Sequence, residues 1–128
     1  AVVCLVSALQ FHGIGTQIAY EVWIALPRGR HTPRITFPKV KMFQFSDVSF
    51  ESGIESHSID GVEVKVFSAA KTIADCFARR NVVGMDVCIE ALNDAVRSGK
   101  ASVAEILRFA KICRVESVIS PYLEMVGV

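Results

Sequence analysis

The stretch SHSIDGVEVKVFSAAKTIADCFARR, residues 56–80, changes periodicity at one serine. Before Ser68 the pattern alternates around Asp60-Gly61, the signature of a two-residue type I′ hairpin, whose central positions both need positive φ. Such a turn pairs Ile59 with Val62, His57 with Val64 and Glu55 with Val66, and on the other face Ser58 with Glu63 and Ser56 with Lys65. Val62, Val64 and Val66 are thereby expected to face a core, with Glu63 and Lys65 in water. After Ser68, a natural N-cap, the spacing becomes helical over residues 69–80. Ala69, Ile73, Cys76, Phe77 and Arg80 form one stripe with a basic end. Lys71, Thr72, Asp75 and Arg79 fall on or beside the polar side. Asp75 and Arg79 are an i,i+4 pair in the favourable order. Lys71 opposes the helix dipole in the first turn, so it needs a partner: a Lys71–Asp75–Arg79 ladder is the favoured reading, and an external anion the other.

Outward from this junction, the N-terminal half reads as mostly β and the C-terminal half as helical. Residues 4–13 suit a short helix with Leu5, Leu9 and His12 along one side and Gly13 as its stop, although residues 2–6 also suit a buried strand. Residues 21–26, EVWIAL, are almost continuously apolar and predict a central strand covered on both faces. Residues 34–37 and 40–45 predict two more strands, the first near an edge because Pro38 closes it. Residues 85–98 predict a helix with Met85, Cys88, Ala91, Leu92, Ala95 and Val96 inward and Gly99 after it. Ser102 and Glu105 form a capping box for a helix over about 103–114, buried through Ile106, Leu107, Ala110 and Cys113. A last helix over about 116–125 must hold Pro121 in its first turn or kink there. The expected fold is α+β: about four to five strands packed against three or four C-terminal helices.

The 128 residues suit one domain spanning 1–128 and can bury a core without staples. Ala1 opens directly into AVVCLVSAL, which reads as a start inside a longer protein or a trimmed chain. No signal peptide pattern is evident, and no apolar run approaches the length of a membrane span. Cys4, Cys76, Cys88 and Cys113 have no metal-ligand spacing and read as buried free thiols of a cytoplasmic protein. No cofactor is expected.

The net charge of +1 conceals a dipolar pattern. PRGRHTPRITFPKVK, residues 27–41, carries Arg28, Arg30, Arg34, Lys39 and Lys41 with no acid, and His31 adds a donor. Residues 47–63 carry Asp47, Glu51, Glu55, Asp60 and Glu63 without Lys or Arg. The basic segment is a candidate for DNA or anion contact, its charges projecting into solvent; solvated charge protecting an edge strand is the alternative. Glu63 and Lys65 with Asp47 upstream resemble the PD-(D/E)xK pattern of metal-dependent nucleases, but strand alternation alone puts Glu63 and Lys65 on one face. His12, His31 and His57 are far apart in sequence, and no Gly-rich phosphate loop, GxSxG or HExxH occurs. No catalytic or metal-binding set is therefore expected.

SALQFHGI (7–14), EVWIALPRG (21–29), IDGVEVKVFSAAKTIADCF (59–77) and RFAKICRVESVISPYLE (108–124) together resemble the AbiEi-family antitoxins of type IV toxin–antitoxin, or abortive-infection, systems. The most specific parts are SALQFHG and S-x-x-K-T-x-x-D, Ser68, Lys71, Thr72 and Asp75. The resemblance implies a domain that follows an N-terminal winged helix-turn-helix, with no winged helix recognisable in this chain. It implies an antitoxin and autorepressor that binds operator DNA in the full-length protein and opposes a nucleotidyltransferase-like toxin. Ser68–Asp75 then becomes a framework element joining sheet to helices. Residues 28–41 become the better DNA candidates, while Arg97, Lys100, Arg108, Lys111 and Arg114 could meet DNA or toxin. A PD-(D/E)xK-like nuclease using Asp47, Glu63 and Lys65, and a plain protein-interaction domain, are the alternatives.

Overall fold

The computed structural model describes residues 1–29 and 39–126. In chain order it runs β1 (Val2–Val3), α1 (Leu5–His12), β2 (Val22–Pro27), β3 (Val40–Phe45), α2 (Asp47–Glu51), β4 (Ile54–Ile59), β5 (Val62–Phe67), α3 (Ala69–Ala78), α4 (Arg80–Val83), α5 (Met85–Arg97), α6 (Val103–Ile112) and α7 (Glu116–Val126). The α+β architecture is as expected: a five-stranded mixed sheet with a C-terminal group of helices. Its strand order is β3-β2-β1-β5-β4. Pairing is antiparallel for β1–β2 and β4–β5 and parallel for β1–β5 and β2–β3. The helical group holds five segments, because the expected 69–80 helix breaks at Arg79 and α4 follows as a single turn.

The hairpin register is the one its turn requires, from Ile59 opposite Val62 to Glu55 opposite Val66. Asp60 and Gly61 take φ of 52° and 80°, the backbone that a type I′ turn demands. Burial along β5 corrects the sequence reading. Val66 is buried, but Val64 is half-buried and Val62 is 62% exposed. Phe67, on the face of Glu63 and Lys65, is fully buried. Only the base of the hairpin reaches the core, so alternation sets the faces while distance from the helices sets burial.

β1 spans two residues and gives way to α1 at Cys4, so the strand and helix readings of the N-terminus each hold over part of it. β2 is central but not covered on both faces: Ala25 is buried, while Val22 is exposed and Ile24 and Leu26 are half-buried. Helix α2 was not expected, since DVSFE is too short to show a period. The strand expected over residues 34–37 lies outside the described residues.

Cross-strand register places Trp23, Ala25, Lys41, Phe43 and Phe45 on one face, and Phe67 stacks on Phe45 at 5.6 Å. Helix α3 lies over these aromatics, with Lys71 Nζ 4.0 Å from the Phe67 ring centre. α1, α5, α6 and α7 also pack on α3. This enclosure explains why α3 is buried on nearly every side, although its sequence is amphipathic. On α6 the buried residues are Ile106, Phe109 and Ala110, with Leu107 and Cys113 half-buried. The Ser102–Glu105 capping box forms as its residues predict. In α7 Pro121 is the sixth residue, beyond the first turn. Among the described residues no helix is long and apolar enough to cross a membrane.

Candidate functional site: a cationic cleft over a buried ion pair

Ser68 caps α3 through its hydroxyl, which accepts from the Lys71 backbone N–H at 3.2 Å. One turn along, Lys71 Nζ donates to both Asp75 carboxylate oxygens at 2.8 Å. The pair is 0% and 2% exposed, so Lys71, Thr72 and Asp75 lie in the core and not on a wet face. Thr72 Oγ1 donates to the Phe67 carbonyl. Lys71 also sits over the Phe67 and Phe45 rings, and a desolvated ammonium is attracted by an aromatic face. The favoured ladder thus forms only in its Lys71–Asp75 half. Arg79 turns to the sheet instead, donating to the Gln44 carbonyl and lying over Phe45 and Phe43.

Asp75 also accepts from the Cys113 thiol at 3.3 Å. Ser49 Oγ lies 3.8 Å from that sulfur. Burial pushes the Asp75 carboxyl above its ordinary value; the Lys71 charge and hydrogen bond, the Cys113 thiol and the Arg79 charge pull it back. Burial, then the Asp75 charge, pushes the Cys113 thiol up to about 12. Burial raises Cys88 to about 11 and also raises Cys4 and Cys76. The cysteines are free thiols, three buried and Cys113 half-buried, and none is set up as a thiolate nucleophile. At pH 8, iodoacetamide should label Cys113 of the native protein on the order of a thousandfold more slowly than in the unfolded chain. Rapid labelling of Cys113 in mass-spectrometric time courses would contradict this arrangement.

Above the pair opens a cleft of about 630 Å³. Arg28 enters from the end of β2, Asp47 and Ser49 from α2, Arg79 from the end of α3 and Arg114 from beyond α6. Phe45, Val48, Ala78 and Ile112 supply apolar wall. Arg114 has φ of 58°, the left-handed conformation that lets the chain leave α6 and turn into α7. Spacing could not reveal this gathering, since its members come from four separate segments.

The basic segment divides. Arg28 and Lys39 are exposed, but Lys41 is half-buried with Nζ 4.6 Å from the centre of the Trp23 ring. Lys41 thus does not project freely into solvent as expected, because strand alternation puts it on the aromatic face. Arg30, His31 and Arg34 lie outside the described residues. The cleft that Asp47 lines includes neither Glu63 nor Lys65, both exposed on the hairpin, where Glu63 accepts from Ser56 Oγ. Among the described residues no group of three or more His, Cys, Asp or Glu could hold a metal ion. His12 and His57, distant in sequence, both contact Phe11, and Nε2 of His57 lies 3.0 Å from Glu55. Nε2 of His12 is 2.8 Å from the Phe67 carbonyl, tying α1 to the hairpin base.

No family model matches the chain, and no curated protein matches it.

Proposed function

We propose that this chain is a binding domain of an antitoxin and transcriptional autorepressor of the type IV, AbiEi-like kind, cytoplasmic and acting without catalysis. In the full-length protein it supports attachment to operator DNA, and its functional partner is a nucleotidyltransferase-like toxin. The sequence resemblance suggests the class. The observation that carries the mechanism is the burial of Ser68's neighbours Lys71, Thr72 and Asp75: the polar element most specific to the resemblance is consumed by contacts inside the fold. The cations left to meet a partner are on the outside. Arg28 and Lys39 mark one region, and Arg97, Arg108, Lys111 and Arg114 are exposed on or beside the C-terminal helices. Lys100, also exposed, already donates to the Gly13 carbonyl.

DNA binding through phosphates releases counterions, so affinity falls with salt in proportion to the contacts made. In the full-length protein, Arg28→Gln and Lys39→Gln should each reduce the salt slope of binding to the operon's own upstream DNA by about 0.9. Fluorescence anisotropy between about 50 and 200 mM salt reads this. Slopes unchanged in both variants would remove these residues from the interface and favour a plain protein-interaction domain.

A further inference from the structure

The geometry points to the cleft between α2 and the ends of β2, α3 and α6 as a binding site for a phosphate monoester, held by Arg28, Arg79 and Arg114. This reading stands apart from duplex attachment: it concerns a small dianionic group entering a cleft, not a backbone crossing a surface.

Three arginines line the cleft, and like charges gathered around one cleft repel unless an anion balances them. Among the described residues nothing supplies that balance. Asp75, at the base, is already engaged by Lys71. Asp47, the other acid in the wall, forms no ion pair among the described residues, and neither do Arg28, Arg79 and Arg114. The guanidiniums of Arg28 and Arg114 also have no hydrogen-bond acceptor among the described residues. Arg79 is held in place by two aromatic rings and one backbone carbonyl, which among the described residues leaves other N–H groups of its fork unused.

The charge selects the ligand. Three cations against one unengaged carboxylate leave a surplus of two, matching a monoester, which carries about −1.5 to −2 at pH 7. A phosphodiester carries half of that. Arginine forks match phosphate oxygens in pairs, and the Ser46 and Ser49 side chains in the wall add hydroxyl groups. Phe45, Val48, Ala78 and Ile112 offer apolar surface to the organic part of the ligand. The volume, about 630 Å³, lies within the ordinary range of roughly 300–1,000 Å³ for small-ligand sites.

A free nucleotide and the phosphorylated end of a nucleic acid present the same group. Titration calorimetry with AMP, inorganic phosphate, a short 5′-phosphorylated oligonucleotide and its 5′-hydroxyl counterpart separates the two sources. AMP and phosphate should bind competitively. Arg28→Gln and Arg114→Gln should each weaken AMP by about tenfold or more, as expected for loss of a hydrogen bond to a charged group. Arg80→Gln, an equal charge change outside the cleft, should leave AMP binding within about twofold. Circular dichroism melts confirm that each variant is folded. Binding of the 5′-phosphorylated oligonucleotide alone would keep the site and assign a nucleic-acid end as its ligand. The proposal fails if none of the probes binds at 10 mM, if sodium sulfate at equal ionic strength competes as well as phosphate, or if the cleft variants behave like Arg80→Gln. DNA slopes that respond to Lys39→Gln would survive that failure, so the two readings stand or fall separately.

Discussion

Asp75→Ala is expected to destabilise the domain by about 3–5 kcal/mol, because it strands a charged lysine in the core. Lys71 is 0% exposed, and the two carboxylate oxygens at 2.8 Å are the acceptors of its ammonium. The rings of Phe67 and Phe45 beside it cannot replace them. Against the roughly 5–15 kcal/mol of an ordinary domain, such a loss is a large fraction. Urea denaturation at pH 7 measures it directly. Lys71→Met should cost less, since the partner left behind can escape its charge by taking up a proton. Burial already favours the protonated Asp75, and removal of Lys71 takes away the largest opposing influence. The sign of the resulting pH dependence follows. A carboxyl whose folded-state value lies above its unfolded one contributes stability that is complete below the unfolded value and is lost as pH rises through the folded one. Lys71→Met should therefore be most stable near pH 4 and lose stability toward neutrality. The double variant Lys71→Met/Asp75→Leu should recover most of the loss, as apolar replacements of buried ion pairs often do. An Asp75→Ala penalty below about 1 kcal/mol, the size of a surface pair, would show that water reaches Lys71.

Gly53→Ala is the second large effect, and it acts on the same place from the other side. Gly53 has φ of 77°, and a Cβ added there would lie 2.7 Å from Lys71 Cβ and 3.1 Å from Phe109 Cε1. Its carbonyl also accepts from the Ser68 N–H at 2.7 Å, where β5 passes into α3. The left-handed backbone should cost about 1–2 kcal/mol, and displacing packed side chains about 1–3 kcal/mol more. Gly61→Ala separates the contributions. That glycine has a similar φ of 80° with nothing within 4 Å of its added Cβ, so it carries the backbone cost alone. In thermal melts Gly53→Ala should fall below Gly61→Ala by several degrees, at roughly 3–5 °C per kcal/mol for a domain of this size. Equal melting temperatures would mean that the base of the hairpin is not seated on Lys71.

Much of the local structure was legible because its causes lie within a few residues. The Asp60-Gly61 turn set every pair of the hairpin, and the serines before α3 and α6 capped the helices they precede. Burial was read less well. Periodicity assigns a helix one dry stripe, and on that rule Lys71, Thr72 and Asp75 belong outside; α3 is enclosed by the sheet and four helices, so the rule does not apply to it. Lys41 misled in the same way, since a charged residue on an edge strand reads as solvated until Trp23 is seen beneath it. The cleft was less accessible still. By sequence Arg79 and Arg114 are only members of helix faces, and nothing in their spacing brings them to Arg28 and Asp47.

The sequence by itself determined where the chain turns, where helices start, and which residues alternate across the strands. These follow from backbone torsions, capping hydrogen bonds and side-chain spacing, all short-range. Only the tertiary structure decided which charges are dry and which converge. A side chain's solvation depends on what packs over it, and here the packing partners, such as Phe45 beside Lys71 and Cys113 beside Asp75, lie well apart from α3 along the chain.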